Sequence, residues 1–411
     1  MKKIICIFFV VMVYACGSSD DNQIYVSDQN NWNRTYQVTN YKSGRDFIQT
    51  SDGGYFLCGE TASFSDGRFY IKTDAVGFRQ WAYEVEAEVY GGGRTSFPGH
   101  AVIETEHGDF LAAASFVNMV YSTQIFVTKL DIDGNLIFQQ TYEPTESIGR
   151  SWNFGGDIDI IQATANEFLI ICNAITYPSG DSSLFALRID AEGNLIFIHN
   201  FEGITGSSVI KNENGTFLIV GSASEPYVDI ESRDQSPKLS IIEIDNSGKE
   251  LWRKSYGFGY FSDVQKNEEG DYYLLGTAFS SDTVSFSSFD VCLYKIDSTG
   301  NEISKKIYDF PENNYGNHLR KVHEDEFIIQ YRRFQYADYS YSTPYLVKRD
   351  EDGNIIYGTD YLLQIDSDGN EIRNKELDDL DVRQVRVVEN GYVILSNSSE
   401  GTILRKMDSN R

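Results

Sequence analysis

The sequence predicts an all-β chain: a seven-bladed β-propeller of four-stranded antiparallel blades, its ring closed by an N-terminal strand that joins the C-terminal blade. Three observations carry this. An Asp-x-x-Gly turn between apolar strands recurs at Asp74, Asp131, Asp190, Asp245, Asp297 and Asp366, and in truncated form at Asp408, mostly at intervals of 52 to 59 residues. A repeat of that length indicates a stacked or radial architecture. A second polar turn precedes each of these, as in TSDGGYFLCGET, KNENGTFLIVGS and VVENGYVILSNS. No helical apolar period of useful length interrupts the pattern.

The elements follow in chain order. MKK, the apolar run IICIFFVVMVYA and then Cys16 read as a secretory signal over 1–15, too short for a stable membrane span. Residues 16–31, beginning CGSSDDNQ, read as a polar, acidic tether. The propeller occupies 32–411. Each unit supplies strands a, b, c and d, with tight turns between a and b and between c and d. The last unit (VRQVRVV, GYVILSN, TILRKMD) stops without a d strand, while Trp32-Asn33-Arg34-Thr35-Tyr36 is a d strand without a unit. Its Trp-x-x-x-Tyr frame matches Trp252 to Tyr256, so the two chain ends are expected to share one blade. The sixth unit carries an extra turn in VKRDEDGNIIYGTDY, read as an inserted hairpin over 347–361 before the regular turn at Asp366.

The turn at 131–135 (DIDGN) also has the look of a calcium loop. The second acidic position is not kept in other copies (DAVG, DAEG), and the Gly stands three residues after the first Asp rather than at position six of an EF-hand. The turn reading is preferred; adventitious calcium at the DxDG copies is the alternative, and no other cofactor is implied.

Composition narrows the function. Aromatic residues make up 14 % of 411 residues, enough for a large core, and the formal charge is −26. Removal of Lys2 and Lys3 with the signal makes the mature chain more negative still. Such a chain repels phosphate backbones and anionic lipids, so nucleic acid is a poor partner, and contact with the membrane is expected through a lipid anchor alone. Cys58, Cys172 and Cys292 sit singly in apolar strand-like runs, which is neither a disulfide framework nor a zinc pattern. They are expected to be small buried hydrophobes.

Val13-Tyr14-Ala15-Cys16 resembles the bacterial lipobox, which implies diacylation of Cys16, and the following segment resembles the export tether of surface lipoproteins of the Bacteroidetes group. The body from 32 to 411 resembles bacterial surface and secreted propellers with DGGY and DxxGNxxW repeats, and is similar in layout to PQQ-like and WD-repeat propellers. These resemblances imply an outer-membrane, cell-surface, monomeric propeller. They imply no particular activity.

The architecture sorts the loops. The a–b and c–d turns share one end and are uniformly short, whereas the b–c and d–a loops share the other and vary, which is where binding is expected. Where the a strands begin at that end stand Asp46, His100, Asp157, Ser208, Asp263, His318 and Arg383, the candidate binding ring at the channel mouth. A second candidate is the aromatic loop RRFQYADYSYSTPY, with Tyr336, Tyr339 and Tyr341 as stacking platforms for a sugar. The residues of both sets also have a purely structural role open to them, as solvated strand ends and as rings packed under the hairpin. No GxSxG, HExxH, Walker or GxGxxG sequence is present, so no catalytic residue is assigned. His318 and His323, five apart on one strand, are expected to face opposite ways and to hold no shared metal. The favoured reading is a surface lipoprotein that binds a glycan or protein partner through the long-loop end. A carbohydrate-active enzyme on the same scaffold and a structural platform in an envelope complex are the alternatives. Carboxylates with raised pKa in the channel would favour the enzyme.

Overall fold

The computed structural model describes residues 31–37, 42–61, 67–85, 96–117, 123–142, 157–175, 182–223, 237–279, 289–323, 326–334, 348–349, 355–356, 358–378, 381–398 and 401–408. Among them there are strands and turns and no helix. The signal, the tether and the loop holding Tyr336, Tyr339 and Tyr341 lie outside the described residues.

The fold is a β-propeller of small antiparallel blades. Strand β1 (Trp32–Tyr36) is followed by a first sheet of β2 (Lys42–Gln49), β3 (Tyr55–Thr61), β4 (Arg68–Thr73) and β5 (Arg79–Val85). The second sheet is β6 (Ser96–Glu104), β7 (Phe110–Val117), β8 (Thr123–Leu130) and β9 (Leu136–Tyr142). The third is β10 (Ile158–Thr164), β11 (Glu167–Ile175), β12 (Ser182–Asp190) and β13 (Leu195–Glu202). Next come β14 (Ile204–Lys211), β15 (Phe217–Ala223), β16 (Lys238–Ile244), β17 (Glu250–Lys266), β18 (Tyr272–Phe279), β19 (Phe289–Ile296) and β20 (Glu302–Tyr308), joined as one seven-stranded sheet. Then β21 (Asn313–His323) and β22 (Glu326–Phe334) precede a separate two-stranded pair, β23 (Lys348–Arg349) and β24 (Ile355–Ile356). β25 (Thr359–Asp366) and β26 (Glu371–Glu376) complete the sheet that β21 and β22 began. The last sheet is β27 (Val382–Val388), β28 (Gly391–Ser398) and β29 (Gly401–Asp408), with β1 as its fourth strand.

Five sheets are therefore separate and four-stranded, and the expectation of independent units fails at one place. The reason is β17, which pairs with β16 up to Phe258 and with β18 from Gly259 onward. Here a d strand runs straight into the next a strand. Gly259 makes this possible, with φ +138° and a backbone so close to Thr277 that a Cβ would stand 2.0 Å from its carbonyl oxygen. The inserted pair β23–β24 falls inside the hairpin read at 347–361, but 359–361 belongs to β25, so that hairpin is shorter than expected.

The c–d turns are built alike. At 131–135 the Asp131 carboxylate accepts the Asp133 amide (3.0 Å) and the Asn135 amide (2.8 Å), and the Asn135 side-chain amide (2.9 Å). Gly134 supplies φ +84°. The Asp is thus consumed by its own turn, and its side-chain bond from Asn135 leads the contacts that hold its carboxyl below the usual range. The turn glycines have a second duty. On five of them an aromatic ring from the preceding blade lies close, Trp32 on Gly77, Trp81 on Gly134, Phe138 on Gly193, Phe197 on Gly248 and Trp252 on Gly300, so that a Cβ would come within 3 Å of the ring. Tyr hydroxyls complete the clamp, donating to the same carbonyls from Tyr36 to Gly77 (2.8 Å), Tyr142 to Gly193 (2.6 Å), Tyr256 to Gly300 (2.8 Å) and Tyr308 to Gly369 (2.8 Å). This explains the Trp-x-x-x-Tyr frame, in which both residues reach across to the neighbouring blade.

The same end carries a repeated ion pair. In four blades the residue two before the turn Asp is basic and reaches the a–b turn: Lys72 to Asp52 (2.7 Å), Lys129 to Asp109 (3.1 Å), Arg188 to Glu167 (2.5 Å) and Lys295 to Asp271 (3.2 Å). Cores lie between blades. Phe56, Tyr70 and Leu130 form one such cluster, and Trp32, Phe47, Leu57, Val393 and Leu404 form another between the first and last sheets. Each such fully buried apolar side chain contributes roughly 1.5–3 kcal/mol. Cys58, Cys172 and Cys292 are buried in these layers and none of them is in a disulfide.

Candidate functional site

The a strands of successive blades lie against one another, β2 on β6, β6 on β10, β10 on β14, β14 on β17, β17 on β21, β21 on β27, and β27 on β2. Their first halves enclose a polar cavity of about 600 Å³. All of Asp46, His100, Asp157, Ser208, Asp263, His318 and Arg383 line it. They do not, however, form one ring. The equivalent position on each strand is the one before the inward apolar residue, which gives Asp46, Ala101, Asp159, Ser208, Asp263, His318 and Gln384. His100, Asp157 and Arg383 stand one or two residues earlier, at the outer rim.

The slip has a physical cause. β-bulges precede the ring position in β2, β14, β17, β21 and β27, with Arg45, Ser207, Ser262, Asn317 and Arg383 as the extra residues. A bulge breaks the alternation by which facing is read from sequence. A further bulge at Val322 puts His323 on the same side of β21 as His318, so the expectation that they face opposite ways is overturned.

At the ring, three carboxylates staple neighbouring blades. Asp46 accepts the amides of Phe47 (2.8 Å) and of Val102 in the next blade (3.1 Å). Asp159 does the same with Ile160 (2.8 Å) and Val209 (2.9 Å), and Asp263 with Val264 (2.8 Å) and Leu319 (2.9 Å). Gln384 takes the equivalent place in β27, accepting from Val385 (3.2 Å) and donating to Asp46 (3.1 Å). Side chains then bridge the staples. Arg320 pairs with Asp263 and donates to Gln384 (3.0 Å), and Arg386 donates to Asp46 (3.3 Å).

The walls differ in charge. Burial pushes the Asp159 carboxyl up to about 6, against the two amide bonds and with the Asp263 charge adding to the rise. Desolvation within the cavity also raises Asp157, whose carboxylate accepts the Ser207 hydroxyl at 3.0 Å. Ser208 lies between Asp159 (3.1 Å) and Asp263 (3.3 Å). Its single proton serves one of them at a time, and a protonated Asp159 would supply the second. On the opposite arc stand Arg45, Arg320, Arg332, Arg383 and Arg386. Burial, then Arg320, lowers His318 to about 4, so the ring is neutral at pH 7. Its Nε2 donates to the Arg383 carbonyl at 3.1 Å. His100 is likewise held neutral, by burial first and then by Arg45 and Arg68.

Sequence reading missed Asp159, Gln384 and the arginines other than Arg383. Alignment on the inward apolar residue (Phe47, Val102, Ile160, Val209, Val264, Leu319, Val385) would have found the ring members. Nothing in the spacing shows that the arginines gather on one arc.

No family model and no curated protein matches the chain. Solved structures do. The chain is similar to a mutant of Synechocystis apocarotenoid oxygenase at 12 % identity, covering 81 % of this chain and 71 % of that one with a TM-score of 0.44. It is also similar to a member of the duf4221 family from Bacteroides vulgatus at 11 % identity, covering 76 % and 96 % with a TM-score of 0.39. Likeness at this identity concerns the fold alone.

Proposed function

We propose that the chain is a lipid-anchored surface lipoprotein, acylated at Cys16, that binds a glycan at the long-loop end of a seven-bladed propeller. The blade count follows from dividing the seven-stranded sheet at Gly259, which yields two four-stranded groups sharing β17. Closure is supported by β1 pairing with β29 along Trp32–Tyr36 and by β27 lying against β2.

The observation that carries the binding reading is the cavity. Its volume of about 600 Å³ suits one or two sugar rings, and its lining of Asp, Ser, Asn, Gln and Arg suits hydroxyls rather than an apolar ligand. Tyr260 adds an aromatic face to the wall. A folded protein partner would meet the outer loops and leave such a cavity unfilled, so a glycan is preferred. The test is a glycan array probed with the full chain in detergent, repeated with Asn317→Trp. Asn317 lines the cavity at a bulge, and a Trp there would take up part of its volume. Signals that survive Asn317→Trp undiminished would remove the cavity from the proposal. For the anchor, Cys16→Ser should abolish lipid labelling and release the protein from membranes.

One observation favours an enzyme instead: the raised carboxyls of Asp157 and Asp159. Asp159 is accounted for as a staple, which leaves Asp157 as the proton donor of that second reading. New reducing ends generated from a bound oligosaccharide, and lost in Asp157→Asn, would establish it.

A further inference from the structure

Two opposite walls of the cavity have complementary chemistry. Arg45 on β2 and Arg383 and Arg386 on β27 stand on adjacent strands and remain 26 %, 31 % and 29 % exposed. Arg45 uses Nη2 on Glu60; Arg383 uses Nε and Nη2 on Asp381; Arg386 uses Nε on the Phe47 carbonyl and Nη2 on Asp46. Their Nη1 groups have no partner among the described residues. Each guanidinium is thus oriented by its own acid and keeps one donor pair in hand. The arc is also self-repelling: besides burial, Arg45 and Arg332 depress Arg383, and Arg320 depresses Arg386. An anion placed between them relieves this repulsion without displacing the orienting acids. Across the ring, the third blade and its neighbour offer Asp157, Asp159, Ser207 and Ser208, all of which can accept hydroxyl protons, and the two Asp carboxylates would repel a third.

Resting on the glycan reading, we infer that the cavity selects a sugar acid: a uronic acid ring with its carboxylate on Arg45, Arg383 and Arg386 and its hydroxyls on the Asp157–Ser207 wall. A neutral sugar leaves the guanidinium donors unmet, and a simple carboxylate leaves the hydroxyl acceptors unmet. Leaving such groups unpaired is how a polar site rejects an analogue.

Calorimetry on the full chain in detergent at pH 7.5 tests this with four probes: D-glucuronate, D-galacturonate, D-glucose and acetate. At least one uronate is expected to bind ten-fold or more tightly than both glucose and acetate. Arg383→Gln and Arg45→Gln, checked for an unchanged melting profile, should each erase that preference. The wild-type comparison needs no variant and stands if either substitution fails to fold. Glucose bound as tightly as the uronates, and blocked by Asn317→Trp, would overturn the acid selection while leaving the glycan reading intact. Acetate bound as tightly as the uronates would reduce the arc to a simple anion site and overturn the sugar half. Absence of binding by all four probes, with an empty glycan array, would overturn both readings.

Discussion

The two ends of the propeller solve different problems with different consistency. At the short-turn end the same devices recur from blade to blade: an Asp closing its own turn and a left-handed Gly in six turns, and in five of them an aromatic ring from the neighbour lying on that Gly. At the cavity end the ring position holds Asp, Ala, Asp, Ser, Asp, His and Gln in turn. Joining one blade to the next is the same geometrical task everywhere, so its solution recurs. The cavity end joins blades too, but only Asp46, Asp159 and Asp263 span two amides there. The remaining ring positions hold alanine, serine, histidine and glutamine. Uniformity marks the architectural end and divergence marks the end that opens on the cavity.

The largest expected effect tests whether the cavity end is structural as well. Asp263→Ala strands Arg320 and two backbone amides, and loss of one member of a buried ion pair costs about 3–5 kcal/mol. Urea unfolding should show this; a change under about 1 kcal/mol would mean that the staples are ornamental and the turn end alone holds the ring. Gly300→Ala probes the turn end. A left-handed φ of +79° and a Cβ 2.9 Å from Trp252 together should lower stability by about 2 kcal/mol or more. Thermal unfolding that leaves the variant level with wild type would show that Trp252 can yield.

The third expectation concerns pH. The Asp159 carboxyl is raised to about 6, so folding favours its protonated form. Its contribution is fully present below the unfolded value near 3.8 and is lost as pH rises through about 6, a change on the order of 3 kcal/mol. Relative to wild type, Asp159→Asn should therefore gain stability between pH 4 and about 7. A stability difference that stays flat over that window would place the carboxyl at its ordinary value. The smallest effect sharpens the account of the clamp. Tyr308→Phe removes one hydroxyl bond to Gly369 while keeping the ring, and should cost about 1 kcal/mol in the same unfolding assay.

The blade pattern was legible because it is local. Alternating apolar residues, Asp-x-x-Gly-Asn turns and the Trp-x-x-x-Tyr frame each act within a few residues, so sequence order alone carries them. Pairing of β1 with β29 was legible for a related reason: an orphan d strand and a missing one point to each other. The fused sheet was not. Gly259 lies in Tyr256-Gly257-Phe258-Gly259, which reads as a turn until the neighbouring strands on both sides extend through it.

The cavity divides the same way. That polar side chains cluster where a strands begin was evident from the sequence, and every residue singled out there lines the cavity. Which of them staple blades and which face the open cavity was decided by the bulges at Arg45, Ser207, Ser262, Asn317 and Arg383, each of which shifts the facing of what precedes it by one residue. A bulge depends on the fit of a strand against its partner, and no residue type announces it. The gathering of arginines opposite Asp157 and Asp159 is likewise a product of the ring. Residues 45, 383 and 386 are separated by most of the chain and become neighbours only because the first and last a strands lie side by side.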